Sequence, residues 1–305
     1  MKKGMTLVET LIALLILSFI LGAVFTILNL QSIRSSHVHR TATLQTDAQV
    51  GLTLLQWDLA TTGLSFPKRD NAVTSGDGGP AGTDWIGIKA VGLGFESSSI
   101  TWSWLLEDAA GATGILVRAF ADSTMNFKDG DVVIVLNRDR TILDPPGDMV
   151  ISNHTTEWFY DPYGDSVLAQ KFDVDLPLYC TSGLVMTKKY DAIYNAGITI
   201  SVNANNQLVR GSDILLDNVE DLQFAYGIDT DGDEVIDTWS DMYPGPVMQN
   251  RKWAIRYTLV VTSRALRDYT YARPTLTIEN HTYNTDRTRR RAILTGIISP
   301  QNLQP

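Results

Sequence analysis

The 305-residue chain holds a single cysteine, Cys180, so no intramolecular disulfide can staple it. Many small exported domains depend on such staples, whereas this one must rely on its core. Cys180 itself reads as a small buried apolar residue. Histidine is scarce too, with four residues, and no nucleophile elbow, zinc-binding His-Glu-x-x-His or glycine-rich phosphate loop occurs. Catalysis is therefore not expected, because clustered aspartates alone lack the base, lysine or arginine that metal-assisted phosphoryl transfer uses. Positive charge is in deficit, with 25 Lys and Arg against 34 Asp and Glu, a net charge of -9 and a pI near 4.9. Phosphate binding relies on clustered cations, so nucleic acid is not expected as a partner. No period of about 20 to 50 residues recurs, which argues against a solenoid or propeller.

Hydrophobic residues make up 44% of the chain, enough for a sizeable exported domain once a long apolar N-terminal run is set aside. That run, residues 11–28, carries no charge and is interrupted only by Ser18, Gly22 and Thr26. It approaches the length needed to cross a bilayer as a helix. Lys2 and Lys3 precede it, which puts the N-terminus in the cytoplasm and everything after Leu30 outside. A secretory signal would show a small-residue cleavage site after the run, but residues 29–34 continue in helical style. Glu9 is what a plain anchor leaves unexplained, since an ionisable group at the edge of an apolar span is costly and calls for a partner.

Lys3-Gly4-Met5-Thr6-Leu7-Val8-Glu9 resembles the processing site of type IV prepilins and type II secretion pseudopilins. The resemblance implies a cut after Gly4 by a prepilin peptidase and N-methylation of Met5, which stands where phenylalanine is more usual. It also implies that Glu9 pairs with the N-terminal ammonium of a neighbouring subunit. Two charges buried together offset a desolvation cost that either would carry alone. Three later segments look like the PilW family of minor pilins. Leu55-Gln56-Trp57-Asp58-Leu59-Ala60-Thr61-Thr62-Gly63 resembles that family's helix end, with departures at Trp57 and Thr62. Asp217-Asn218-Val219-Glu220-Asp221-Leu222-Gln223-Phe224-Ala225-Tyr226-Gly227 resembles its most recognisable segment, a strand entered from a polar turn. Arg289-Arg290-Arg291-Ala292-Ile293-Leu294 resembles its basic C-terminal strand, although the ending 298–302 lacks the expected arginine before the asparagine. Residues 63–205 carry little family signal.

The resemblance implies an α+β, type IV pilin-like fold, a long N-terminal helix on a mainly antiparallel head. The implied plan is a leader at 1–4, a membrane and filament-core half-helix at 5–30, an amphipathic half at 31–63 and a β-rich head at 64–305. The implied function is that of a minor pilin held in the inner membrane, then inserted near the tip of a type IV pilus to prime assembly and present its head. Its partners would be the prepilin peptidase, other minor and major pilins, the inner-membrane assembly platform and a tip adhesin. A pseudopilin at the tip of a type II secretion pseudopilus and a calcium-dependent tip adhesin on a pilin stem are the alternatives.

The residues support this plan independently. Val38, Ala42, Ala48, Leu52, Leu55 and Leu59 recur at helical spacing, which predicts one apolar stripe against the head. Gly63 and Pro67 signal the stop, so a helix over 6–62 is expected, about 80 Å long. His37 and His39 point to different faces of that helix and make no metal pair. Beyond Gly63, glycine- and aspartate-rich turns separate β-branched runs, the pattern of an antiparallel sheet. Strands are expected at 85–91, 100–105, 114–120, 132–136, 198–202, 207–210, 222–226, 253–262 and 291–298. In the cleanest of them Ile255, Tyr257, Leu259 and Val261 define a core face and the alternate residues a wetter one. Asn205-Asn206 suits a hairpin turn, and Trp102 and Trp104 share a strand face as core packing. Arg287, Arg289, Arg290 and Arg291 read as solvated charges at a strand end rather than a binding patch.

The segment Asp229-Thr230-Asp231-Gly232-Asp233-Glu234-Val235-Ile236-Asp237 carries the strongest chemical signal. Its carboxylates stand at loop positions 1, 3, 5 and 9, and the Val235 carbonyl stands at position 7, the arrangement by which a loop supplies oxygens to calcium. It departs from an EF-hand at position 6, where Glu234 replaces glycine, and at position 12, where Ser240 replaces glutamate and Asp241 follows. The other reading is a solvated turn closed by side-chain to backbone hydrogen bonds. Repulsion among four unneutralised carboxylates favours calcium.

Overall fold

Leucine and alanine, strong helix formers, recur through the N-terminal run and no proline interrupts it, so a continuous helix is a favourable state of the backbone there. In a computed structural model the described residues are 7–67, 71–79, 82–90, 101–160, 165–189, 197–245, 251–266 and 269–304. Helix α1 (Leu7–Thr61) runs for 55 residues, as the sequence predicted. Its apolar first half, residues 7–30, is exposed throughout, with Phe19 at 72% and Phe25 at 73%. The Ser18 and Thr26 hydroxyls donate to the carbonyls of Leu15 and Gly22 at 2.8 and 2.9 Å, so neither interrupts the apolar surface with an unmet donor. The helix stops at Gly63, whose φ of +79° is left-handed. The Gly63 amide donates to the Lys89 carbonyl at 2.8 Å, and a Cβ there would fall 2.2 Å from Leu303. Glycine thus serves both the turn and the close approach.

The second half of α1 docks through Leu44, Ala48, Gly51, Leu55, Asp58 and Leu59, with Leu52 partly buried. The expected stripe is correct from Ala48 onward. Val38 and Ala42 are exposed instead, because Leu44 and Gly51 lie on the face that meets the head.

Strands β1 (Val73–Gly76) and β2 (Trp85–Ile88) form a hairpin just after the helix. The chain then makes a long excursion through β3 (Trp102–Trp104), β4 (Ala109–Gly111), β5 (Ile115–Arg118), β6 (Val132–Leu136), β7 (Met149–Tyr160), β8 (Ser166–Val174), β9 (Leu178–Cys180) and β10 (Val185–Lys189). It returns as β11 (Ile198–Val202), β12 (Leu208–Arg210), β13 (Asp213–Leu216), β14 (Val219–Ile228), β15 (Thr238–Ser240), β16 (Trp253–Thr262), β17 (Thr275–Ile278), β18 (His281–Asn284) and β19 (Arg291–Ile298). All pairings between these strands are antiparallel.

Two sheets, ordered β1-β2-β11-β12-β13 and β15-β14-β16-β19, share one core with α1. It contains Leu55, Leu59, Ile86, Ile200, Leu222, Phe224, Trp253 and Tyr257. A third sheet, β3-β10-β6-β7-β8-β5, encloses a separate core of Val117, Phe127, Val133, Met149, Phe172 and Met186 among others. The head therefore has two lobes, the second inserted between β2 and β11.

On β16 the expected core face is buried, and the face expected to be wetter is covered as well. Val260 is 0% exposed and packs with Leu276 and Ile278 of the β17–β18 hairpin. The Asn205-Asn206 turn forms as expected, Asn206 taking φ +57° between paired Val202 and Leu208. Trp102 and Trp104 are half-buried with ring centroids 5.6 Å apart, and Arg118 lies over Trp104. Cys180 is half-buried beside the second core, where burial pushes its thiol pKa up.

Candidate functional site

Gly4 and Met5 lie outside the described residues. Glu9 stands in the first turn of α1, exposed amid Leu7, Val8, Leu11 and Ile12, each more than half exposed. A carboxylate on an uncovered apolar helix is suited to a contact made in an assembly, where the surrounding side chains exclude water and strengthen its attraction to a cation.

The acidic loop begins where β14 ends. Asp229 is 3% exposed, and its amide donates to the Lys252 carbonyl at 3.0 Å. Its carboxylate accepts from the amides of Gly232 at 2.6 Å and Glu234 at 2.9 Å. Asp237 closes the loop by accepting from the Thr230 hydroxyl and amide at 2.7 and 2.6 Å, contacts that hold its pKa below the usual carboxylate range. Oxygens of Asp229, Asp231 and Asp237 come within 4.8 Å of one another. Asp233 is not in that trio; its carboxylate accepts from the Val235 amide at 2.8 Å instead. Glu234, at position 6, takes φ +68°, so a side-chain-bearing residue adopts the turn that glycine usually supplies there. Arg251 and Lys252 border the loop, Arg251 donating to the Thr230 carbonyl at 2.5 Å and Lys252 lying 3.8 Å from Glu234. With Gln304 they help line a cleft of about 530 Å³. The trio offers oxygens only, which suits a hard cation.

The arginines near the C-terminus are built into the structure more firmly than the sequence suggested. Arg291 pairs with Glu220 at 2.6 Å, its side chain 0% exposed, and lies over Tyr271. Arg290 donates to the Thr41 hydroxyl on α1 at 3.0 Å and lies over Tyr269. Only Arg287 and Arg289 fit the expectation of exposed strand-end charges, and each has a local acceptor, Tyr271 and Asp286 respectively. The reason for the difference is tertiary: β19 pairs with β16 and carries Arg290 against the helix, which residue spacing alone does not reveal.

Sequence reasoning did not find a second polar cluster, buried under the hairpin loop between β1 and β2. Asp84 is 2% exposed, Asp221 and Gln223 0%, and His281 7%. Asp84 takes the place of a neighbouring strand along β14. Its amide donates to the Leu222 carbonyl at 2.9 Å and its carboxylate accepts from the Phe224 amide at 2.8 Å. Burial pushes the Asp84 pKa up to about 6. The available signal was the Asp221-x-Gln223 pair, two polar residues on one face of an otherwise apolar segment.

Residues 184–302 match the family described as Type IV Pilus-assembly protein W. Residues 1–25 match the Prokaryotic N-terminal methylation motif. In these two stretches the chain is similar to PilW-like type IV pilins. No curated protein and no solved structure matches it. The PilW match covers β10 to β19 and leaves most of the second lobe unmatched. It begins somewhat earlier than residue 205, where the sequence alone placed the onset of family signal.

Proposed function

We propose that this pilin is a minor subunit cut after Gly4 by a prepilin peptidase, methylated at Met5 and stored in the inner membrane with its N-terminus cytoplasmic. It then enters a type IV pilus near the tip, primes assembly and presents its two-lobed head. The observation that carries this reading is the coexistence of a methylation motif over 1–25 with an apolar half-helix, residues 7–30, that no part of the head covers. An apolar stave of this kind is stable only in a bilayer or among like helices. Glu9 pairs with the Met5 ammonium of the adjacent subunit, the other minor and major pilins being its neighbours and the membrane assembly platform its point of entry. A large head over residues 64–305 favours the tip, because repeating such a bulk along a close-packed shaft would crowd neighbouring heads. A tip adhesin is a further partner at that position.

The Asp229, Asp231 and Asp237 trio is a calcium site in this reading, its ion ordering the turn between β14 and β15. The Val235 carbonyl and Asp233 complete the set proposed from the sequence.

Replacement of Glu9 by alanine tests the assembly role. Cleavage and membrane storage are expected to be unchanged while the amount recovered in sheared pili falls steeply; normal incorporation refutes the pairing. Deletion of the whole protein separates pilus from pseudopilus. Loss of surface pili with secretion intact is expected, and the opposite pattern assigns the chain to type II secretion.

A further inference from the structure

A left-handed backbone position in a tight turn favours glycine, which has no Cβ to crowd the neighbouring carbonyl. The turn that follows β6 departs from that preference. The Asn137 amide donates to the Thr141 carbonyl at 2.9 Å and the Arg140 amide to the Asn137 carbonyl at 2.8 Å, and Leu136 pairs with Ile142 just outside the turn. Its last central residue, where glycine is the usual choice, is Arg140 at φ +63°. Side chains retained in a strained backbone conformation cluster at functional positions.

That side chain reaches across to the first lobe. Arg140 Nη1 donates to the Gly63 carbonyl at 3.3 Å, the one acceptor its guanidinium has among the described residues, so most of its N–H groups remain available to another partner. Burial lowers its pKa, and no neighbouring carboxylate offsets that effect. A half-buried cation without a counter-ion costs free energy. Asp139, the next residue in sequence, does not supply one, because its carboxylate turns back to accept from the Thr141 amide and hydroxyl at 3.1 and 2.7 Å. Arg140 lines a cleft of about 320 Å³ at the junction of the lobes, together with Ser65 and Asn302 of the first lobe and Asn137 and Arg138 of the second. Ser65 is also left-handed, at φ +51°. No acidic residue is among the described residues that line this cleft, although the chain carries a net charge of -9. A concave surface of one sign gathers ions of the other.

We propose that the cleft between the lobes binds a small oxyanion, a carboxylate or phosphate group, in the fork of the Arg140 guanidinium, with Arg138 adding to the positive field. Guanidinium donors match the oxygens of both groups in pairs. The occupant is small, because the cleft stands at the lower end of the size range of ligand sites. Its walls come from both lobes, so the bound anion couples the second lobe to the helix-bearing one. The site shares no residue with the Asp229 loop and stands independently of the pilus reading.

The test uses the full-length chain in detergent, dialysed free of phosphate and carboxylate buffers. It is titrated in a calorimeter with sodium phosphate and, separately, with sodium succinate, against sodium chloride of matched ionic strength. At least one of the two oxyanions is expected to bind at one site per chain and to raise the unfolding temperature above the chloride control; which of them does so tells phosphate from carboxylate. Arg140→Gly suits the left-handed backbone, so this variant is expected to unfold in chloride no earlier than wild type. Its oxyanion binding is expected to be at least about tenfold weaker, as loss of charge-assisted hydrogen bonds requires. Arg140→Gln removes the charge but keeps a side-chain N–H donor at that position, and the same weakening is expected. Arg264→Gln, at an exposed arginine outside the cleft, is expected to leave binding unaltered. Failure of wild type to bind either oxyanion overturns the proposal, as does binding unchanged in both Arg140 variants. Equal weakening by Arg264→Gln also overturns it, since the attraction would then be to exposed arginines in general.

Discussion

Asp58 and Arg210 show what a single residue contributes here. Asp58 is 1% exposed on α1, Arg210 is 4% exposed on β12, and Arg210 Nη1 lies 3.1 Å from Asp58 Oδ2. Arg210 also reaches Asp213 at 3.4 Å. The pair crosses from the helix to the sheet inside the docking surface, so removing either partner strands a buried charge. Asp58→Ala or Arg210→Ala is expected to cost about 3–5 kcal/mol, whereas the combined Asp58→Leu, Arg210→Met change, which removes both charges, is expected to restore most of that. Urea midpoints with an unchanged m-value measure it. A double variant as unstable as the singles would mean that the ion pair itself, not the stranded charge, supplies the stability. The sequence offered Asp58 only as one letter of a helix-end resemblance, flanked by Leu55 and Leu59. Helical spacing says which residues share a face, but it cannot say that an acidic one among them meets an arginine 152 positions away. For the same reason Asp229, Asp231 and Asp237 were legible as a cluster because they are local, while Asp84, Asp221 and His281, brought together by pairing across the chain, were not.

At the scale of elements the decisive contact is α1 against β13. Gly51 is buried, and a Cβ there would stand 2.9 Å from Leu216 Cβ and 3.3 Å from the Leu215 carbonyl oxygen. Glycine costs helix propensity by about 1 kcal/mol relative to alanine, and that cost is accepted because the helix otherwise cannot sit so close. Gly51→Leu is therefore expected to destabilise the head by at least about 1–3 kcal/mol despite its better propensity, since overpacking outweighs the helical gain. A urea midpoint equal to or above wild type would show that the helix can retreat without loss. Elements with a strong apolar period were legible in advance. The helix matched within a residue or so at its C-terminal end, and β6, β11, β16 and β19 fell on their expected bounds. The long β7 and β8 pair was not foreseen. Its residues read MVISNHTTEWFY and SVLAQKFDV, with polar residues on both faces over much of their length, and Asn153 at φ +54° breaks the register between Ser152 and Thr155. Period-two reasoning needs one buried face, and most of β7 has none.

The whole molecule is a pilin-like frame, a long helix on antiparallel sheet, with a second lobe inserted between β2 and β11. Ile88 of β2 is the register partner of Ile198 of β11, so the chain leaves and re-enters the first lobe at adjacent points. The excursion repeats this closure on itself, Trp102 of β3 pairing with Thr187 of β10. Each lobe thus has its own core and its own neighbouring ends, the condition under which insertion and excision are tolerated. Among the described residues, ties between the lobes include Thr187 donating to the Ser65 carbonyl at 3.2 Å, Arg140 donating to the Gly63 carbonyl at 3.3 Å, and Trp102 packing by Phe66 and Ala72. Replacing residues 90–196 by Asn-Gly leaves two residues between Lys89 and Gly197, the positions next to the Ile88–Ile198 pair, and is expected to join β2 to β11 as a simple hairpin and leave a cooperatively folding, helix-bearing lobe, because that loop length and sequence favour a tight turn. Residues 101–189 alone are expected to fold as a separate β domain around Phe127 and Phe172. Circular dichroism and thermal unfolding of both products decide the matter. Two sharp transitions, one per product, support independent lobes, while an aggregated or gradually melting first lobe shows that the ties at Ser65, Gly63 and Phe66 are essential. In cells the shortened chain is expected to separate the two tasks proposed for it: if that proposal holds, its helix and family-matched lobe still enter the filament in sheared pili, while any activity presented by the second lobe is lost.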